Sequence, residues 1–179
     1  MNTEYIMPYS RENVQIKMFT IDHLFNRYRN FLEKEPYCSE EHFPWAKGFV
    51  MGYPLPQFQR EVVWTDEMNA NFIRSIWLRL DIGSYLVNTG VFDKKFSDAL
   101  LDGQQRLTAI EKYITDKFPV AGESGELIFW SSLPLQEQRR FRNTIFTQAI
   151  SSEEDESKLR QMYNVRAFGG VRHNPEDKA

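Results

Sequence analysis

The run Leu100-Leu101-Asp102-Gly103-Gln104-Gln105-Arg106-Leu107-Thr108-Ala109-Ile110 constrains the fold more than any other stretch. Residues 97–101, ending in Ala99-Leu100-Leu101, suit a short strand. Leu107, Ile110, Ile114 and Phe118 then recur at helical spacing, which predicts a helix over about 104–117. Strand and helix are thus joined through Asp102-Gly103 alone, and glycine at such a joint permits a sharp turn and the close approach of another backbone or a ligand. The first helical turn carries N–H groups without intrahelical acceptors at the positive end of the helix dipole, which makes an anion site. Arg106 lies one turn in, where its planar fork can hold a phosphate through two hydrogen bonds. Asp102 can hold a divalent cation, accept a proton or orient a ribose hydroxyl, and it can equally serve as the helix N-cap. Spacing alone also fits a plain strand–turn–helix joint with Arg106 in a surface ion pair.

Around this junction, strands and helices interleave. Residues 14–19 suit a strand, followed by a helix to about Glu33 that Thr20 can cap, with Ile21, Leu24, Phe25, Tyr28 and Leu32 on one face. Residues 34–48, with Pro36 and Pro44, read as a loop. Pro54 and Pro56 make 53–60 extended and rigid. Thr65 can cap a helix over about 66–80, with Met68, Phe72, Ile76 and Leu80 recurring every four residues. Strands are expected at 84–88, 126–130 and 144–149, a charged helix opened by Pro134 over about 135–142, and a last helix over about 153–164 capped by Ser151 or Ser152. The tail after Phe168 reads as loop. This order predicts a single mixed α/β or α+β domain.

A chain of 179 residues is large enough to bury a core without disulfides or metal. The lone cysteine, Cys38, rules out an internal disulfide and fits a reducing compartment. The net charge of −3 argues against a general polyanion coat while allowing a local basic cleft. No apolar segment approaches the length of a membrane span, and the N-terminal stretch has no cleavage-site pattern. A cytoplasmic protein without membrane contact is expected. There is no Walker-A loop and no Cys/His cluster of the kind that holds structural zinc.

Asp102-Gly103-Gln104-Gln105-Arg106 resembles the Asp-Gly-Gln-Gln-Arg motif of the N-terminal domain family of GmrSD-type, modification-dependent restriction systems. Gly103, Arg106 and Ala109 also fit the looser Gly-x-x-Arg-x-x-Ala pattern of ParB proteins. Upstream, Pro56-Gln57-Phe58-Gln59-Arg60 with Trp64 is similar to the first motif of the same family, and the 42-residue separation of Arg60 from Asp102 is typical of it. The segment Tyr163 to His173, containing Phe168-Gly169-Gly170, resembles a C-terminal Asn-x-Gly-Gly region, except that Ala167 stands where a polar residue, often Asn, is expected. The resemblance spans about 14–175 and implies an α+β domain of ParB/sulfiredoxin-like fold, a mixed sheet with flanking helices. Sulfiredoxin carries its reactive cysteine directly after the motif glycine. Gln104 stands there in this chain, so thiol chemistry of that kind is not expected.

On this resemblance the site residues are Gln59, Arg60, Gly103, Gln104, Gln105, Arg106, Gly169 and Gly170 for a nucleotide, with Asp102 and Arg106 catalytic and Asp102 a candidate Mg²⁺ ligand. Arg60 and Arg106 would converge on a phosphate. Gln59, Gln104 and Gln105 would bond the base, the ribose or an attacking water, or else tie down loop backbone as structural amides. Phosphoryl transfer needs charge neutralisation and in-line positioning more than covalent chemistry, and one Asp, two Arg and a helix N-terminus supply that minimum. The implied activity is Mg²⁺-dependent hydrolysis of ATP, GTP or CTP, or transfer of the γ-phosphoryl group, with a base in modified DNA as one acceptor. The alternative is a non-catalytic module that senses nucleotide or modified DNA and regulates a partner nuclease, or a decoy that has kept the fold. Gln138-Arg139-Arg140-Phe141-Arg142 could support DNA contact, or be a solvated helix face beside Glu137. GmrSD systems carry a separate C-terminal His-Asn-His-type nuclease domain; 179 residues leave no room for one, so a complete nuclease is not expected.

Overall fold

A computed structural model describes residues 14–89 and 95–168. Strand β1 (Gln15–Thr20) runs into helix α1 (Ile21–Leu32), and a short 3-10 turn at Glu40–His42 precedes a hairpin of β2 (Gly48–Val50) and β3 (Tyr53–Leu55). Helix α2 (Asp66–Trp77) leads to β4 (Ser84–Asn88), β5 (Ala99–Asp102) and α3 (Gln104–Ile114). The small strands β6 (Val120–Ala121) and β7 (Leu127–Ile128), a 3-10 turn at Trp130–Ser132, α4 (Leu135–Arg142), β8 (Ile145–Ser151) and α5 (Glu156–Phe168) complete the order. The fold is α+β, as expected.

The main sheet has the strand order β1-β8-β4-β5 and is mixed: β8 is antiparallel to β1 and parallel to β4, and β4 is antiparallel to β5. Side chains alternate across it. Tyr85, Val87 and Leu100 join one apolar cluster with Ile73 and Ile76 of α2, Leu107 and Ile110 of α3, and Phe141 of α4. Leu86, Ala99, Leu101 and Ala149 point into a smaller cluster roofed by Leu159 of α5. Burial on both faces explains why β4 and β5 read as continuous apolar runs rather than alternating ones.

Four expectations need correcting. On α2 the buried residues are Asn69, Ile73 and Ile76, while Met68 and Leu80 are exposed. A four-residue step overshoots one turn by about 40°, so a strict every-fourth pattern walks off the buried face, and the helix ends at Trp77 before Arg79 turns left-handed. The last helix starts at Glu156 rather than about 153 and is capped by neither Ser151, which pairs with Asn88 as the end of β8, nor Ser152. Asp155 caps it instead, its Oδ1 accepting from the Ser157 amide at 2.8 Å. The strand expected at 126–130 shortens to Leu127–Ile128 because Trp130 turns into the core. Thr65 does cap α2, accepting from the Met68 amide at 3.3 Å, whereas Thr20 makes no side-chain capping bond. Among the described residues no helix is long and apolar enough to cross a membrane.

The β2–β3 hairpin is tied to α3 by Glu111, whose Oε2 accepts from the Met51 amide at 2.5 Å. Met51 is fully buried with φ of +48° in the turn between Val50 and Tyr53, and this bond ties that turn to α3. Burial raises the Glu111 pKa above its ordinary value, and the Met51 bond only partly offsets this. Between the ordinary and the raised value the folded protein therefore binds more protons than the unfolded chain, and stability falls as pH rises through that window. Glu111→Gln keeps an acceptor for Met51 and removes the titration. Chemical denaturation from acid to neutral pH should show the wild type losing stability relative to this variant as pH rises; parallel curves would refute the assignment.

Candidate functional site

The site grows from the end of β5. Its last residue, Asp102, is followed by Gly103 with φ of +100°, and α3 begins at Gln104. A side chain at 103 is excluded twice over: the backbone angle is left-handed, and an added Cβ would lie 2.6 Å from the Tyr85 Cβ on the neighbouring strand. The Leu107 amide bonds the Gly103 carbonyl at 2.9 Å and closes the first turn. The amides before it have no intrahelical acceptor and lie at the positive end of the helix.

Asp102 does not cap this helix. Its Oδ2 accepts from Arg106 Nη2 at 3.1 Å and from Arg166 Nε at 3.0 Å. Arg106 also donates to the Ile82 carbonyl at 3.3 Å, lodged against Gly83, where a Cβ would meet its Nη1 at 2.7 Å. Burial and the facing Arg166 lower the Arg106 pKa from its ordinary value while Asp102 opposes them. Arg166, near the end of α5, reaches Ser84 Oγ at 2.9 Å.

A strap over 59–64 forms the opposite wall. Gln59 is buried and its Nε2 donates to the Leu100 carbonyl at 2.7 Å, clipping the strap to β5. Gln105 is buried too: its Oε1 accepts from the amides of Val63 and Trp64 at 3.0 and 3.1 Å, and its Nε2 donates to the Glu61 carbonyl at 3.2 Å. Both amides hold backbone. Gln104, buried beside them, leaves its Oε1 without a hydrogen-bond partner. The Arg60 amide donates to the Tyr163 hydroxyl at 3.1 Å, and the exposed Arg60 side chain forms no ion pair among the described residues.

Gln59, Arg60, Asp102, Gly103, Gln104, Gln105 and Arg106 line a single cleft of about 160 Å³, together with Trp64, Tyr163 and Arg166. Three arginines and one aspartate line the cleft, with Arg106 and Arg166 on Asp102, so the lining carries a surplus of positive charge at a helix N-terminus. Such a lining favours an anion with several oxygens. Among the described residues no three His, Cys, Asp or Glu side chains gather to hold a metal ion. Among the described residues Asp102 is the single carboxylate in the lining, so a divalent cation held by these residues would depend on oxygens brought by its ligand.

Arg166 and Tyr163 are lining residues that the motifs do not single out, although both fall within or beside the segment leading to the Gly-Gly pair. Gly169, Gly170, Arg172 and His173 lie outside the described residues. The arginines of 138–142 do not gather at the cleft. Arg142 pairs with Asp22 and lies over the Phe25 ring, while Arg140 pairs with Glu137 and lies over Trp77, so both bind α4 to its neighbouring helices.

Residues 46–175 match the family model of the GmrSD restriction endonuclease N-terminal domain. No curated protein and no solved structure matches the chain. The junction itself can be tested through Gly103→Ala, which combines left-handed strain with a clash against Tyr85. It should lose about 2–4 kcal/mol of stability in urea titration, and a loss under about 0.5 kcal/mol would show that the turn is not as tight as its geometry indicates.

Proposed function

The chain belongs to the family of GmrSD restriction endonuclease N-terminal domains, and from that membership in a restriction system we propose that it binds a nucleoside triphosphate in the cleft and hydrolyses it or transfers its γ-phosphoryl group. The observation that carries this reading is the charge of the lining: Arg60, Arg106 and Arg166 against Asp102, at the start of α3. A triphosphate is the common biological anion that matches such a surplus.

In this reading the free α3 amides and the Arg106 and Arg60 guanidinium groups hold the phosphates and neutralise charge that spreads over the γ-phosphoryl oxygens during transfer. Water or an acceptor hydroxyl attacks the γ-phosphorus, the bond to the bridging oxygen breaks, and a nucleoside diphosphate leaves. Asp102 is the group available to take the proton of the attacking oxygen or to join Mg²⁺ on the phosphates. Gln104, with an unpaired carbonyl oxygen, bonds a donor of the ligand or the attacking water. Gly169 and Gly170 follow α5 directly and would let backbone amides approach the phosphates. ATP, GTP or CTP is the nucleotide, and modified DNA or a partner nuclease receives the outcome.

One observation favours a second reading, a nucleotide sensor without turnover. Two guanidinium groups already occupy Asp102 Oδ2, so this oxygen is engaged in ion pairs rather than open to an attacking water or hydroxyl. The two readings separate when purified protein is incubated with each NTP and Mg²⁺, with and without DNA. Turnover should appear as phosphate release or a labelled acceptor; binding without either supports the sensor. Arg106→Ala should weaken binding about 10–100-fold. Asp102→Ala should bind and not turn over, and unchanged turnover would remove Asp102 from the chemistry. An absence of nucleotide binding by the wild type would defeat the proposal as a whole.

A further inference from the structure

Arg166 occupies a position in the cleft that its sequence context does not announce. Its guanidinium uses Nε for Asp102 Oδ2 at 3.0 Å and Nη2 for Ser84 Oγ at 2.9 Å. Asp102 gives that same oxygen to Arg106. Two cations therefore converge on one carboxylate oxygen, and their mutual repulsion is only partly offset.

The two arginines differ in how firmly they are held. Arg106 is additionally bonded to the Ile82 carbonyl and lies against Gly83 and Gly103. Arg166 is more exposed than Arg106, 34% against 20%, and sits on the last turns of α5. That helix meets the body through Leu159 and Tyr163, while Asn164 and Val165 are exposed. Arg166 is thus the cation free to change partners.

Resting on the nucleotide reading of the cleft, we propose that Arg166 is a phosphate-binding side chain that exchanges Asp102 and Ser84 for the phosphate oxygens of the ligand, so that α5 reports whether the cleft is filled. A triphosphate offers Arg166 several charged oxygens where Asp102 offers one that is already shared. The exchange leaves Asp102 with a single arginine, Arg106, and draws the end of α5 toward the ligand. It couples nucleotide binding to the position of α5. No bond is made or broken covalently.

The test uses the full chain and titrates ATP, GTP, CTP and inorganic tripolyphosphate against the wild type, Arg166→Ala and Ser84→Ala. Arg166→Ala should bind both the preferred nucleotide and tripolyphosphate about 10–100-fold more weakly. Ser84→Ala removes one resting tether without removing the guanidinium, so it should bind as tightly as the wild type or a few-fold tighter. Amide exchange over 156–166 should slow on nucleotide addition in the wild type and not in Arg166→Ala. Equal binding by Arg166→Ala and wild type overturns the proposal while leaving the nucleotide reading intact. Weakening by Ser84→Ala as large as that by Arg166→Ala would mean that the contact merely holds α5 in place, which also overturns it. Loss of nucleotide but not tripolyphosphate binding in Arg166→Ala would remove the phosphate assignment. A wild type that binds none of the four defeats the nucleotide reading, and the Arg166 assignment falls with it.

Discussion

Asp102 Oδ2, accepting from Arg106 and Arg166 together, joins four pieces of chain that are far apart in sequence: the end of β5, the first turn of α3, the end of α5 and, through the other bonds of the two arginines, the 82–84 segment. A partly buried guanidinium requires a counterion, so Asp102 is what allows two arginines to stand this close to each other and to the helix N-terminus. Remove that carboxylate and the cleft holds uncompensated positive charge; add an anion and the surplus becomes binding energy. The same residue is therefore both a brace and a competitor of the ligand, and this dual position governs the electrostatics of the whole cleft.

The glutamines around it divide the remaining work by geometry rather than by type. Gln59 and Gln105 are fastened to main chain on both sides of the cleft, one to β5 and the other to the strap. Gln105 satisfies backbone groups of the irregular strap that no ladder reaches, which is the general requirement for irregular chain at a buried position, and Gln59 ties the strap to the outer strand of the sheet. Gln104, adjacent in sequence to Gln105, turns the other way and leaves an acceptor unpaired. Successive residues at the start of a helix are about 100° apart, so a Gln-Gln pair places one amide toward the strap and the other elsewhere. The two letters of the motif are not interchangeable.

Much of this was legible in the sequence. The strand–Gly–helix joint follows from an apolar run, a glycine and a helical stripe, and the structure places the joint within a residue of the expected position. Of the segment 53–60, expected to be extended, Tyr53–Leu55 is a strand, whereas 56–59 closes a turn in which the Gln59 amide bonds the Pro56 carbonyl at 3.0 Å. Whether each glutamine of the motif holds backbone or faces a ligand was not legible, because that depends on which unpaired amides of 61–64 come near, a fact of tertiary structure. Arg166 escaped notice for a similar reason. It is one of several charged residues on a helix with weak amphipathic patterning, and only the packing of α5 over β5 turns it toward Asp102. The α2 stripe failed through the drift of a four-residue period, and the last cap through the length of β8, which absorbs the serine that looked available.

Every lining residue of the cleft, from Gln59 to Arg166, lies inside the 46–175 segment that matches the family, whereas β1 and α1 lie before it. These first two elements nevertheless complete the sheet: β1 pairs with β8 along its whole length, and Arg142 joins Asp22 of α1 to α4. They support the site indirectly. β8 is sandwiched between β1 and β4, and β4 carries Ser84 and Tyr85, which set the position of Arg166 and the closeness of the Gly103 turn. The chemistry-bearing segment is thus separable in sequence from the strand that steadies it, and a change in β1 would reach the cleft only through two intervening layers of backbone pairing, as lost stability rather than as altered ligand contacts.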